Sequence, residues 1–228
     1  SAPHTGRRGS YAKGLAKREE ILTRALDVIS HEGYAGASVK AIAEAVGLSQ
    51  AGLLHYFDSK EELFTEVLRK RDEVDALSRA SGADEPSLGR MRAEFIALVR
   101  HNTDVPGLVQ LFSRLAADAT DPAHPAHEFF LDRSARLREV LGAAVARAQG
   151  DGRLRDGIEP ATLARMVQAL ADGMQLQWLV DPTVDMIGPV EALFALLEPP
   201  PPGEPDADPR SGATEAYASG RSTTGTSY

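Results

Sequence analysis

The fold class predicted for this chain is all-α: a small N-terminal helix-turn-helix head followed by a larger helical body. Three observations carry that prediction. Apolar residues recur at helical spacing almost throughout, no run sustains the apolar/polar alternation of a strand, and residues 38–60 read as two short helices joined by a glycine turn.

Taken in order, the first helix is expected over residues 15–31. It places Ile21, Leu22, Ala25, Leu26 and Ile29 on one face and stops at Gly33. Ser38 is an N-cap for the next helix, whose inward face is Val39, Ile42, Ala43 and Val46 at the i, i+3, i+4, i+7 spacing. Gly47 ends it, because glycine enters the left-handed conformation of a C-cap without steric cost. Ser49 caps a further short helix in which Leu53 and Phe57 share a face, leaving Gln50, Ala51, Leu54, His55 and Tyr56 to point elsewhere. So short a helix is marginal alone and makes sense only if Leu53 and Phe57 pin it to a core while its other face meets a ligand such as the major groove. Asp58 or Ser59 then caps a helix from Lys60 to about Ser78, with Leu63, Phe64, Val67 and Leu68 inward. A break is expected at residues 81–86, followed by helices over 88–101 (Met91, Phe95, Leu98, Val99) and 107–119 after Pro106. Helix resumes from about Pro125 through Phe129, Phe130, Leu137 and Leu141 to the Gly150-Asp151-Gly152 stop, and two apolar helices at 160–180 and 189–197 close the fold. The organisation expected is a flexible basic arm (1–13), a DNA-binding head (14–60), a helical effector-binding and dimerisation body (61–198) and a Pro/Gly/Ser-rich tail (199–228). Four consecutive prolines lead into that tail, which has too few large aliphatics to offset its ordering entropy and is expected to be disordered.

The run Ile42-Ala43, Gly47-Leu48-Ser49, Leu53 and His55-Tyr56-Phe57-Asp58-Ser59-Lys60-Glu61-Glu62-Leu63 resembles the DNA-binding region of TetR/AcrR-type transcriptional regulators. The resemblance covers about the first third of the chain. It implies that Ser38, Lys40, Ser49, Gln50, Ala51, Gly52, Leu54, His55, Tyr56 and Lys60 form the face turned to double-stranded DNA, with Ser38 and Ser49 chiefly as helix caps. Gln bonds adenine in a bidentate manner and Lys reaches guanine or phosphate, whereas Ala51 and Gly52 carry no long side chain, so direct readout from the middle of the recognition helix is expected to be sparse. One departure stands out. The family usually has tyrosine where this chain has Leu54, so a phenolic phosphate contact is missing and His55, Tyr56 or Lys60 must supply the anchoring.

A net charge of −8 argues against a polyanionic partner only until its distribution is considered. Through residue 60, eight Lys/Arg face six Asp/Glu, a balance of +2, so the remainder carries −10. Arg7, Arg8 and Lys13 lie in a Gly-rich leader that either reaches phosphates or a minor groove or is only a solubilising tail. There is no run of about 20 apolar residues for a membrane span and no secretory leader pattern, so no membrane partner is expected and the cytoplasm is the default location. The chain has no cysteine, which excludes disulfides and thiolate metal sites.

No glycine-rich phosphate loop, serine elbow or cysteine nucleophile is present, so an enzyme is not expected, and no cofactor is implied. His124 and His127 with Glu128 invite a metal reading, but too few ligands accompany them, and a histidine pair at a helix entry is the favoured reading. The segment 171–179 before Asp181-Pro182 is similar to the second-to-last helix of many TetR-type regulators, which implies a homodimer joined through the last two helices as a four-helix bundle. The resemblance further implies an apolar effector pocket in the body. Phe95, Phe112, Phe129, Met166, Met174 and Trp178 are its candidate walls and His101, Asn102, Arg114 and Gln175 its candidate polar fixers, each equally explicable alone as ordinary core. The function expected is a repressor released from a near-palindromic operator by a small apolar or amphipathic effector. The rival reading is a helical small-molecule binding or catalytic protein whose N-terminal motif is only a structural subdomain.

Overall fold

The computed structural model of the chain describes residues 6–79 and 87–199. The expected break at 81–86 and the tail from residue 200 onward lie outside the described residues. Those residues form helices throughout: α1 Gly6–Gly36, α2 Val39–Ala45, α3 Gln50–Leu53, α4 Lys60–Arg79, α5 Leu88–Asp104, α6 Pro106–Asp118, α7 His127–Gly150, α8 Pro160–Val180 and α9 Gly188–Leu197.

Three boundaries differ from the sequence expectation, the last being that of α3, which closes at Leu53 and leaves Phe57 in the bend beyond it. The first helix begins at Gly6 instead of residue 15, so Arg7, Arg8 and Lys13 sit on helical backbone. Glycine at positions 9 and 14 weakens that stretch, but extending a helix that already exists needs only propagation, without the unfavourable nucleus. At its other end α1 kinks at Gly33, where φ is +72°, and closes at Gly36. The second difference is α7, which begins at His127 rather than at Pro125. The Asp121 carboxylate accepts from Ala123 N–H and His124 Nδ1 accepts from Ala126 N–H, closing successive turns that hold the backbone out of the helix. His127 Nδ1 lies 2.8 Å from the Ala119 carbonyl, so both histidines are engaged in this helix entry.

Of the inward faces expected of α1, α2 and α4, Ile21, Leu22, Ala25, Ile29, Ile42, Ala43, Val46, Leu63, Phe64, Val67 and Leu68 are buried, and Leu26 and Val39 are half-buried. With Leu53 and Phe57 they form a hydrophobic cluster that runs on through Leu108, Leu111 and Leu115 of α6 to Phe129 of α7. The head therefore has no core separate from the body. Helix α6 packs along α1, and at their crossing Gly107 lies so close to α1 that a Cβ would stand 2.8 Å from Gly33 Cα and 3.0 Å from Tyr34 N. A second cluster joins α7, α8 and α9 through Leu141, Val145, Leu163, Val167, Val190 and Phe194. A third gathers Val99, Val109, Met174, Trp178 and Met186, with Phe95 packed against it. No helix among the described residues is long and apolar enough to cross a membrane.

Candidate nucleic-acid interface

The recognition element is built by caps and by two pins. Ser38 accepts a hydrogen bond from Ala41 N–H at 3.1 Å, and Ser49 accepts one from Gly52 N–H at 3.0 Å, so each serine satisfies an orphan donor of the helix it starts. Gly47 makes the turn between them at φ +68°, a conformation open to glycine at no steric cost. Leu53 and Phe57 are buried and fasten α3 to the core, as their spacing predicts. The following helix starts with a reciprocal cap: Ser59 Oγ accepts from Glu62 N–H at 3.0 Å, and the Glu62 carboxylate reaches back to Asp58 N–H.

This scaffold turns Gln50 and Ala51 of α3 and the two residues just after it, Leu54 and His55, outward, with Lys40 exposed on α2 and Lys60 exposed at the start of α4. Lys40 has only Glu44 for company, at 3.9 Å, and Lys60 Nζ stands 5.7 Å from the Phe64 ring centroid. Tyr56 is half-buried against the core and meets His55 edge-on at 6.2 Å, so the phenol has a fixed stem. The exposed surface thus combines an amide, an imidazole, two ammonium groups and a patch of small residues on one side of a rigid, capped element. That chemistry suits phosphate anchoring with a few base-edge contacts.

One residue that fixes this geometry escapes notice in the sequence. Arg18 of α1 donates to the Tyr56 carbonyl, stacks 4.3 Å over the Phe57 ring and pairs with Glu62 at 3.1 Å, so one guanidinium joins the first helix to the exit of the recognition helix and the start of α4. Beside it Lys17 Nζ donates to the Val46 carbonyl at 3.1 Å, capping the C-terminus of α2. Nothing but a lone basic pair before Glu19-Glu20 signals this in the sequence.

In the body, the ten side chains considered for an effector are not brought to one place. Met166 is 42% exposed on the outer face of α8, and His101 is exposed on α5, because helical register turns both away from the interior. Phe112 and Phe129 meet edge-on with Phe130 at the junction of α6 and α7, and Arg114 lies 4.9 Å over the Tyr34 ring, facing the head. Phe95, Met174 and Trp178 do gather in the third cluster. Next to them Asn102 is buried, accepts from Arg71 of α4 and donates from Nδ2 to Gln175 Oε1 of α8 at 3.4 Å. The adjacent α4 residue, Asp72, accepts from Arg133 of α7 at 2.9 Å. Asp172, on α8, has its carboxyl pKa raised by desolvation, with the positive charge of Arg133 acting against that rise. Helix α4, which starts at the recognition element, is therefore tied by two consecutive residues to α5 and α7, and through Asn102 to α8.

Comparison with known proteins agrees with this geometry. Residues 21–67 match the bacterial regulatory proteins of the tetR family, and residues 112–198 match the C-terminal region of BetI-type transcriptional repressors. The chain is 32% identical over 168 residues to the HTH-type transcriptional repressor AcnR of Corynebacterium jeikeium, covering 70% of this chain and 80% of that protein. It is 44% identical to the regulator RutR of Escherichia coli over 66 residues, 29% of this chain and 30% of RutR. In fold it is similar to a TetR-family regulator of Agrobacterium tumefaciens, with a TM-score of 0.62 at 20% identity over 82% of this chain and 100% of that one. The capped helix-turn-helix, the α4 connection and the helical body make this chain a member of the TetR family of DNA-binding transcriptional regulators.

Proposed function

We propose that the chain works as a two-fold dimeric repressor that leaves its operator when a small amphipathic molecule binds where α4, α5 and α8 meet. The observation that carries this reading is the buried polar link Arg71–Asn102–Gln175, because its first member stands on the helix that begins at the DNA-binding head. Beside the link, Phe95, Met174 and Trp178 offer apolar and aromatic surface. A ligand whose polar group competes for Asn102 or Gln175, and whose apolar part enters among these side chains, favours an arrangement in which the tie to α4 is remade. By linkage it weakens DNA binding only to the extent that it binds that arrangement better.

Dimerisation is supported by the outer face of α8. Met166, Ala169, Gly173, Leu176 and Val180 follow one another at spacings of three and four, the seam of a helix-helix interface, and Val180 is 83% and Leu196 of α9 75% exposed. A face this apolar on a protein of ordinary composition is explained by a second subunit. Two heads set about 34 Å apart then read a near-palindrome.

The test uses Trp178, the chain's single tryptophan, as its reporter. A duplex selected by the full chain from a random pool serves as operator, and small amphipathic compounds are screened for a change in Trp178 emission. Compounds that change emission should lower operator affinity, and Gln175→Leu, which removes the acceptor of Asn102 Nδ2, should abolish that response and itself shift affinity without compound. Compounds that bind beside Trp178 and never alter operator affinity would refute the switch.

A further inference from the structure

Chain charge is concentrated at one end in a way the helix-turn-helix does not explain. Residues 1–18 hold Arg7, Arg8, Lys13, Lys17 and Arg18 and no acid, a charge of +5, so that a chain of −8 carries −13 beyond them. From Gly6 these residues lie on the helical backbone of α1. The region matched to the tetR family begins only at residue 21, so this part of the helix precedes the family's DNA-binding unit.

Its position relative to the recognition helix follows from two contacts. Lys17 reaches the carbonyl of Val46, immediately before the turn, and Arg18 reaches the carbonyl of Tyr56, just past the recognition helix. Helix α1 thus crosses the helix-turn-helix at these residues and continues toward Gly6 for roughly 16 Å at 1.5 Å per residue. Along that projection Tyr11, Ala12, Lys13, Leu15 and Ala16 are exposed, and Lys13 makes no ion pair among the described residues. Core burial therefore does not account for the segment. Nor does helix stability, because the first turn holds no acid while basic residues crowd the positive end of the macrodipole, the reverse of the stabilising arrangement.

We infer that residues 6–17 of α1 are a second DNA-contacting element, which lays Arg7, Arg8 and Lys13 along the phosphates of the duplex flanking each half-site. The inference rests on the regulator reading and extends it. Residues 6–17 contain no acid of their own for phosphates to compete with, and a helix continuous with α1 sets the backbone of this segment in register with the recognition helix. Such contacts add affinity without adding base readout.

The experiment uses the full chain and a duplex it selects from a random pool, prepared both trimmed to the selected sequence and extended by about half a helical turn on each side. Binding is followed by fluorescence anisotropy against salt. Wild type should bind the extended duplex more tightly, with a steeper salt slope, and a variant carrying Arg7→Gln, Arg8→Gln and Lys13→Gln should lose that gain together with about 2–3 units of slope, at close to one unit per phosphate contact. Ala12→Pro, which keeps every charge but interrupts the helix, should lose most of the flank-dependent gain as well. Equal affinity of wild type for both duplexes, a wild-type slope in the triple variant, or full flank dependence in Ala12→Pro would overturn the inference. So would a charge requirement seen only on phosphatidylserine vesicles and not on DNA. Failure to select any duplex at all would instead refute the DNA-binding reading beneath it.

Discussion

Replacing Gly107 by alanine tests whether the head and body are fused by direct backbone packing between α1 and α6. The residue is buried in the first turn of α6, and a Cβ built there comes within 2.8 Å of Gly33 Cα and 3.0 Å of Tyr34 N, and closer still to the carbonyl oxygen of Ile29. All three are backbone atoms, which cannot rotate away as a side chain would. The two helices must therefore separate, and overpacking of this kind costs about 1–3 kcal/mol. Against it stands the gain from replacing glycine in a helix, at most about 1 kcal/mol and less than that in a first turn. With that gain taken as about 0.5 kcal/mol the net is about 0.5–2.5 kcal/mol destabilising, and for a chain of this size each kcal/mol moves the midpoint by about 2–4 °C, giving a fall of roughly 1–10 °C in thermal unfolding followed by circular dichroism. Gly142→Ala is the matched control: it lies inside α7, its Cβ meets nothing nearer than Pro160 O at 3.9 Å, and it should be neutral or stabilise by up to about 1 kcal/mol. If Gly107→Ala melts at or above the wild-type temperature while Gly142→Ala behaves as expected, the close crossing does not join the two parts.

Arg18→Ala removes a charge-assisted hydrogen bond, a ring contact and an ion pair at once, and should destabilise the chain by about 1.5–3 kcal/mol in denaturant titrations and weaken operator binding, although Arg18 lies on α1 and not on the recognition helix. Lys60→Ala should lower affinity evenly across duplex sequences and flatten the salt slope by about one unit, whereas Gln50→Ala should change base preference in selection experiments. Leu176→Arg or Val180→Arg should give monomers in sedimentation velocity with unchanged helix content; dimers in both variants would remove α8 from the interface. At the N-terminus of α8 the Glu159 carboxylate accepts from the backbone N–H groups of Ala161 and Thr162, which hold its pKa below the ordinary 4.5. Because the folded value is the lower one, its contribution is complete above pH 4.5 and fades as pH falls through the lowered value. Glu159→Ala should therefore melt below wild type at pH 7, with the gap narrowing in acid; a gap independent of pH would mean the charge plays no part in the cap.

The head was legible because each of its determinants is local. Ser38, Gly47 and Ser49 act on backbone groups within three residues of themselves, and Leu53 and Phe57 lie only four residues apart, so local spacing places caps, turn and pins, although Phe57 sits in the bend beyond α3. Arg18 was not legible for the opposite reason. Its partners, Tyr56 and Glu62, lie 38 and 44 residues away, and only the crossing of α1 over the recognition helix brings them together. The same limit separates the proposed dimer face from the proposed effector site. An exposed seam on α8 is a property of one helix and follows from its own repeat, but which side chains of different helices gather depends on how those helices pack.

That dependence also says where regulation can act. Asn102 and Gln175 drew attention in the sequence only as polar residues in apolar surroundings, and their meaning comes from Arg71, which no local pattern singles out. A buried polar chain of this kind is stable only while every member keeps a partner, since an abandoned buried donor or acceptor costs about 1–3 kcal/mol. The apolar contacts around it tolerate small shifts, whereas the hydrogen bonds either form or fail. On the proposed reading, a ligand that takes over one of these partners selects between discrete arrangements of α4 against α5 and α8. Coupling constants in the family of two-state switches are typically 1–3 kcal/mol, the same order as one such hydrogen bond. On the proposed reading, replacing a single link at Asn102 is of the right magnitude to change operator affinity about 5- to 150-fold.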